Sequence, residues 1–119
     1  DCLYLGVKDS PLYRYGVGMN KIYDYMLSAK PILAAMSAAN DPMSQAGCGI
    51  TVPPGDPEEI ALGIKQMMGL EASARLRMGQ QGYEYVTQNH DYRVLAQKFS
   101  AVLRQAADRK AQRQADTGK

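Results

Sequence analysis

An α/β fold, a parallel sheet with right-handed crossovers finished by helices, is what this sequence predicts, and three observations carry that expectation. Three short apolar runs, residues 2–7, 32–35 and 48–52, have strand length and are closed by turn residues. Helix-period segments separate them, as right-handed crossovers between parallel strands require. After the third run the chain carries only helical patterns.

Residues 2–7 (CLYLGV) end in Lys8-Asp9-Ser10-Pro11 and read as a strand buried on both faces. A loop holding Gly16 and Gly18 then feeds a helix in which Met19, Ile22, Tyr23, Met26 and Leu27 recur at helical spacing, with Asn20 as the expected N-cap. Pro31 stops that helix, leaving residues 32–35 as the second strand. Asp41-Pro42 opens a short helix that Ala46-Gly47 closes, and residues 48–52 form the third strand. Asp56-Pro57-Glu58-Glu59 is a strong helix start, with a capping acid, proline at the first helical position and Glu three residues after the cap. Ile60, Ile64, Met67 and Met68 are the expected buried face of this helix. The next helix, over residues 71–87, is expected to bury Leu76, Gly79, Tyr83 and Val86. A last one from Asp91 carries Tyr92, Leu95, Phe99, Val102 and Leu103 as a stripe. Residues 1–107 are thus one expected domain, and 108–119 a mobile basic tail.

Composition narrows the function. With 45% apolar and 22% charged residues, the 119-residue chain suits one modest core. Fourteen basic against twelve acidic residues, a net +2, speak against nucleic acid as a partner. Cys2 and Cys48 read as reduced, buried small residues. No apolar run approaches the roughly 18–20 residues of a spanning helix and no leader pattern opens the chain, so a cytoplasmic protein is expected. The abrupt opening on a strand suggests a piece of a longer protein. From Arg104 onward five basic residues face two acidic ones, a local +3 that suits a solvated tail or contact with anionic lipid headgroups at the inner membrane face. His90, the sole histidine, reads as a solvent-exposed or capping residue between helices. No metal-binding cluster and no cofactor is expected.

The loop and helix start over residues 15–26 (YGVGMNKIYDYM) carry the candidate chemistry. Open α/β sheets bind ligands at the carboxyl ends of their strands, and helix N-termini present free N–H groups and a positive dipole end to phosphate. Glycine at 16 and 18 would let the backbone approach a diphosphate, with N–H groups of Gly18, Met19 and Asn20 as donors and Lys21 within reach. Asp24, one turn in on the face of Asn20, could accept hydrogen bonds from a ribose diol. Tyr13 and Tyr15 remain open as sugar-stacking rings, while Tyr23 reads as core. A bland glycine loop that binds nothing is the alternative reading of the same residues.

The segment from Gly16 to Pro31, with Asn20-Lys21, Asp24-Tyr25-Met26 and Lys30-Pro31-Ile32, resembles the donor domain of retaining family 4 glycosyltransferases of the GT-B fold. Residues 48–61 (CGITVPPGDPEEIA), then Arg77-Met78-Gly79, Gly82-Tyr83 and Tyr85-Val86, resemble two further segments of that family in the same order. The resemblance implies a partial Rossmann-like parallel sheet, the C-terminal part of a nucleotide-sugar-binding domain, and a diphosphate-sugar donor, UDP-linked. The acceptor is a saccharide or a lipid-linked one, and a separate N-terminal acceptor domain completes the enzyme. It implies that Asp24, as the second acid of the family's E-x7-E pattern, holds the ribose. Gly16 stands where the first acid would be, which implies a different contact to the donor hexose. Family members with glycine there include enzymes of surface polysaccharide assembly that handle amino or deoxy sugars. The chain alone is then expected to bind nucleotide feebly, catalyse nothing, and self-associate through its last helix and open sheet edge. The alternatives are a non-hydrolysing sugar-nucleotide epimerase and a non-catalytic nucleotide-binding module.

Overall fold

In the computed structural model, which describes the backbone of residues 1–117 and the side chains of residues 1–114, three parallel strands lie in sequence order: β1 (Leu3–Gly6), β2 (Ile32–Ala35) and β3 (Gly49–Val52). Their register runs Leu3 to Ile32 to Gly49 and ends with Gly6 to Ala35 to Val52. Every residue of β2 is buried, as a central parallel strand demands. Its alternation divides the core. Ile32 and Ala34 join Leu5, Ile22, Met26, Met43, Cys48 and Val86 on one face, while Leu33 and Ala35 meet Val52, Ile50 and Ile60 on the other.

α1 (Asn20–Leu27) crosses from β1 to β2 and buries Ile22 and Met26, four residues apart and so on one face. α2 (Pro42–Ala46) crosses from β2 to β3 on the same side of the sheet, with Met43 fully buried and Gly47 ending it in a left-handed conformation, φ +64°. α3 (Pro57–Gly69) lies on the opposite face through Ile60 and Gly63. Asp56 caps it as expected, its Oδ1 accepting from the N–H groups of Glu58 at 2.9 Å and Glu59 at 3.3 Å. Its far end is closed by the Arg75 guanidinium, which donates to the carbonyls of Met67, Met68 and Leu70.

α4 (Ala72–Asn89) seats on the α1 side by backbone contact. A Cβ on Gly79 would stand 2.0 Å from the Ala29 carbonyl oxygen, and one on Gly82 would stand 2.9 Å from Cys48 Cβ. The buried positions are Gly79, Gly82 and Val86, whereas Leu76 is 72% exposed and Tyr83 42%. The expected face was therefore half right: large residues flank the contact line that the glycines make. Met68, expected in the core, is exposed, and Met67 alone of that pair is buried.

β1 is an edge strand in which only Leu5 is buried, not a strand covered on both faces. Cys48 is buried, and burial pushes its thiol up to about 11, but Cys2 at the edge is exposed; both are free. The unit comprising Asp1–Thr87 ends here. A second unit from Gln88 contains α5 (Tyr92–Thr117), capped by Asp91, whose carboxylate accepts from the Arg93 N–H at 2.8 Å. Tyr92, Phe99, Val102 and Leu103 of its stripe are exposed. Helix continues through Thr117, across most of the stretch expected as a mobile tail, and residues 118 and 119 lie outside the described residues. His90, expected to be solvent-exposed or capping, is half-buried.

Candidate functional site

Parallel strands place all three carboxyl ends on one edge of the sheet, where the segments 7–19, 36–41 and 53–56 gather. The first is the longest and is not wholly irregular. Pro11–Tyr15 forms a 3-10 helix started by Ser10, whose hydroxyl accepts from the Leu12 N–H at 3.3 Å. Gly16 ends it with φ +122° and ψ 167°, a region essentially confined to glycine. Val17 then dives into the core at 6% exposure, and the chain surfaces at Gly18 to enter α1.

Asn20 is the first helical residue and not the cap: Met19 occupies the cap position, and no side chain satisfies the helix start. The reason is local. A capping side chain must stand one residue before the first helical turn, where this chain has an apolar thioether. Next to this uncapped start, the backbone N–H groups of Gly18, Met19 and Asn20 also have no acceptor among the described residues. They form a run of open donors at the positive end of an eight-residue helix.

Around this run the sequence-derived residues take distinct positions. Gly18 is exposed, and a Cβ there would meet nothing within 4 Å. Lys21 is exposed, its ammonium 5.6 Å from the Tyr25 ring centre. Asp24, four residues after Asn20 and hence on its side of α1, is exposed and has no hydrogen-bond or ion-pair partner among the described residues. Tyr13 packs partly against the core, and Tyr15 stays 79% exposed.

Two residues escaped sequence reasoning. Arg14 lies exposed in the 3-10 helix with its guanidinium 4.6 Å over the Tyr15 ring and bonded to the Tyr15 hydroxyl, a basic group in the same loop as the open N–H run. Its signal, a lone arginine between tyrosines in a loop, is faint. Asn40, in the segment after β2, donates from Nδ2 to the Val17 carbonyl at 3.0 Å and accepts the Val17 N–H on Oδ1. Only the turn signal of Asp41-Pro42 beside it was visible.

The two glycines therefore differ. Gly16 is required by the loop's own backbone, and a Cβ there would also press to 2.8 Å from Asn40 Oδ1. Gly18 has no such reason. Gly16→Ala is expected to lower stability by about 1–3 kcal/mol, and Gly18→Ala to change it by less than about 0.5 kcal/mol. Urea unfolding of both variants checks this, and equal losses would show that both glycines serve the fold.

Among the described residues no cluster of three or more His, Cys, Asp or Glu side chains could hold a metal ion, and no helix is long and apolar enough to cross a membrane.

No protein-family model matches the chain, and no curated protein matches it in sequence. Among solved structures it is similar to a sucrose-phosphate synthase from Thermosynechococcus elongatus, with a TM-score of 0.65 over 79% of this chain and 19% sequence identity. That comparison decides the fold. The chain is a partial Rossmann-like unit of the GT-B type. It spans 24% of the length of the synthase.

Proposed function

We propose that this chain is part of the donor nucleotide-sugar-binding domain of a glycosyltransferase, with the diphosphate at the open N–H groups of Gly18, Met19 and Asn20 and the ribose at Asp24. The observation that carries the reading is that uncapped run of donors, standing at the carboxyl edge of a parallel sheet with an unpaired carboxylate one helical turn further on. Similarity in fold to a sucrose-phosphate synthase supports glycosyl transfer in general. The resemblance of residues 16–32 and 48–61 to retaining family 4 enzymes supports a UDP-linked hexose or amino sugar, and a saccharide or lipid-linked acceptor in surface polysaccharide assembly.

The chemistry asked of these residues is electrostatic. When a sugar leaves a nucleoside diphosphate through an oxocarbenium-like state, negative charge grows on the phosphate that stays behind. Fixed N–H dipoles aimed at it stabilise that charge without reorganising. Gly18 lets the phosphate come close to the backbone, Lys21 and Arg14 add positive charge at the rim, and Asp24 orients the nucleoside. The acceptor and the remaining phosphate contacts belong to a second domain in this reading.

The test separates ribose from phosphate. Asp24→Ala is expected to weaken UDP binding by about 1–3 kcal/mol, the loss of hydrogen bonds to a charged group. The same variant should bind the 2′,3′-dideoxy analogue of UDP as the parent does. Titrations of parent and variant with both ligands check this. An equal loss for both ligands, or none for UDP, removes the ribose role from Asp24.

A further inference from the structure

The loop that presents those N–H groups leaves β1 and must hold its shape over thirteen residues, and besides its apolar anchors it is held by side-chain hydrogen bonds from Asn40. We propose that Asn40 is a positioning residue for the diphosphate loop, acting through the backbone of Val17; this rests on the donor-site reading above. Asn40 is half-buried in the segment after β2 and lies 23 residues from Val17 in sequence. Its amide satisfies both backbone groups of Val17, accepting the N–H on Oδ1 and donating Nδ2 to the carbonyl at 3.0 Å.

That pairing needs a donor and an acceptor side by side on one planar group. A carboxylate supplies only the acceptor, and a hydroxyl is a single atom that cannot span both backbone groups. The other backbone link between the two segments among the described residues, from the Ala39 N–H to the Tyr13 carbonyl, is long at 3.4 Å. Gly16 gives the clamp its room: its φ of +122° turns the chain so that the absent Cβ would point at the Asn40 amide, 2.8 Å from Oδ1.

Val17 immediately precedes the open donors, and its carbonyl shares a peptide plane with the Gly18 N–H, so holding that carbonyl fixes the direction of the first open donor and the point from which the next two start. With the clamp, the first of these dipoles is aimed before the ligand arrives, and binding does not have to order it. Without it, Val17 keeps its apolar anchorage while the peptide planes ahead of α1 are free to turn.

The experiment reads loop and ligand separately. Amide hydrogen exchange is followed by NMR in the parent and in Asn40→Ala, and each is titrated with UDP and with uridine. The expected result is exchange at the Val17 amide about tenfold faster or more, with β2 amides unchanged, and a UDP-over-uridine affinity ratio reduced about tenfold. Where the alanine variant does not fold, Asn40→Asp serves; it keeps the acceptor for the Val17 N–H and loses the donor to its carbonyl, and the affinity ratio is expected to fall in it too. Parent-like exchange at Val17 in Asn40→Ala, or a parent-like affinity ratio in whichever variant folds, overturns the proposal. A parent chain that binds UDP no better than uridine defeats the donor-site reading itself, whatever Val17 does.

Discussion

Gly79→Ala is expected to lower the stability of this chain by about 3 kcal/mol or more, at the upper end of what overpacking does. The substitution would gain about 1 kcal/mol in helix propensity at an unhindered site, so its sign is decided by what the new methyl meets. At Gly79 it meets backbone: the Ala29 carbonyl oxygen at 2.0 Å and its carbon at 2.6 Å. Ala29 cannot step aside. It stands in a left-handed conformation, φ +53°, with its N–H bound to the Met26 carbonyl, and it leads through Pro31 into the central strand. Relief requires α4 to lift off, which opens the contact of Gly82 with Cys48 and uncovers Val86. Gly69→Ala, at the end of α3 where a Cβ meets nothing within 4 Å, is the control and is expected to be neutral or better. A Gly79→Ala variant melting within a degree or two of the parent would show that α4 is not seated on Ala29.

Asp41 carries the second large effect. Its Oδ1 caps α2, accepting from the Met43 N–H at 3.0 Å and the Ser44 N–H at 3.2 Å, and its Oδ2 accepts the hydroxyls of Ser44 at 2.5 Å and Thr51 at 2.7 Å. One carboxylate thus ties the segment after β2 to α2 and β3. Partial burial pushes its pKa up, but the bonds from Ser44, Thr51 and the two amides together outweigh that and hold it below the usual aspartate value. Asp41→Ala is expected to cost about 2–3 kcal/mol near neutral pH, a lost cap and a lost cross-link together. Because the folded-state pKa is depressed, the charge-dependent part of this stability is complete above the ordinary aspartate range. It disappears as pH falls through the folded-state value. The gap between parent and Asp41→Asn, which keeps one acceptor oxygen, turns the other into a donor and removes the charge, should therefore narrow toward acid in urea unfolding. A gap that is constant from pH 7 to pH 3 would mean that the charge contributes nothing.

What could be read from the residues alone was what depends on neighbours in sequence. The Asp56-Pro57 start of α3, the Asp41-Pro42 start and Gly47 stop of α2, and the central strand at 32–35 all follow from signals within four or five residues, and all are present. Features set by distant neighbours were hidden. An apolar run such as 2–7 looks the same whether a strand is paired on both sides or on one, and only the structure shows that within this chain β1 pairs on one side. The face of α4 was misjudged at Leu76 and Tyr83 because periodicity weighs large side chains, while this contact is made where side chains are absent. The candidate site divides in the same way. Gly18, Lys21 and Asp24 could be picked out from the loop-to-helix pattern, whereas the uncapped start at Met19 needed coordinates, and so did the clamp from Asn40, whose partner lies 23 residues away.

The most direct test of the donor-site reading is a titration of the isotope-labelled 119-residue chain with UDP, followed residue by residue in amide NMR spectra. The expected result is saturable shifts led by the amides of Gly18, Met19 and Asn20, with smaller ones at Lys21 and Asp24. Beside the β1 edge lies a different recess, a groove of about 390 Å³ lined by Leu3, Tyr4, Leu33, Ile64, Met67 and Met68. Shifts centred on that groove, or none at all up to the solubility limit of the nucleotide, would contradict the assignment of the diphosphate to the start of α1.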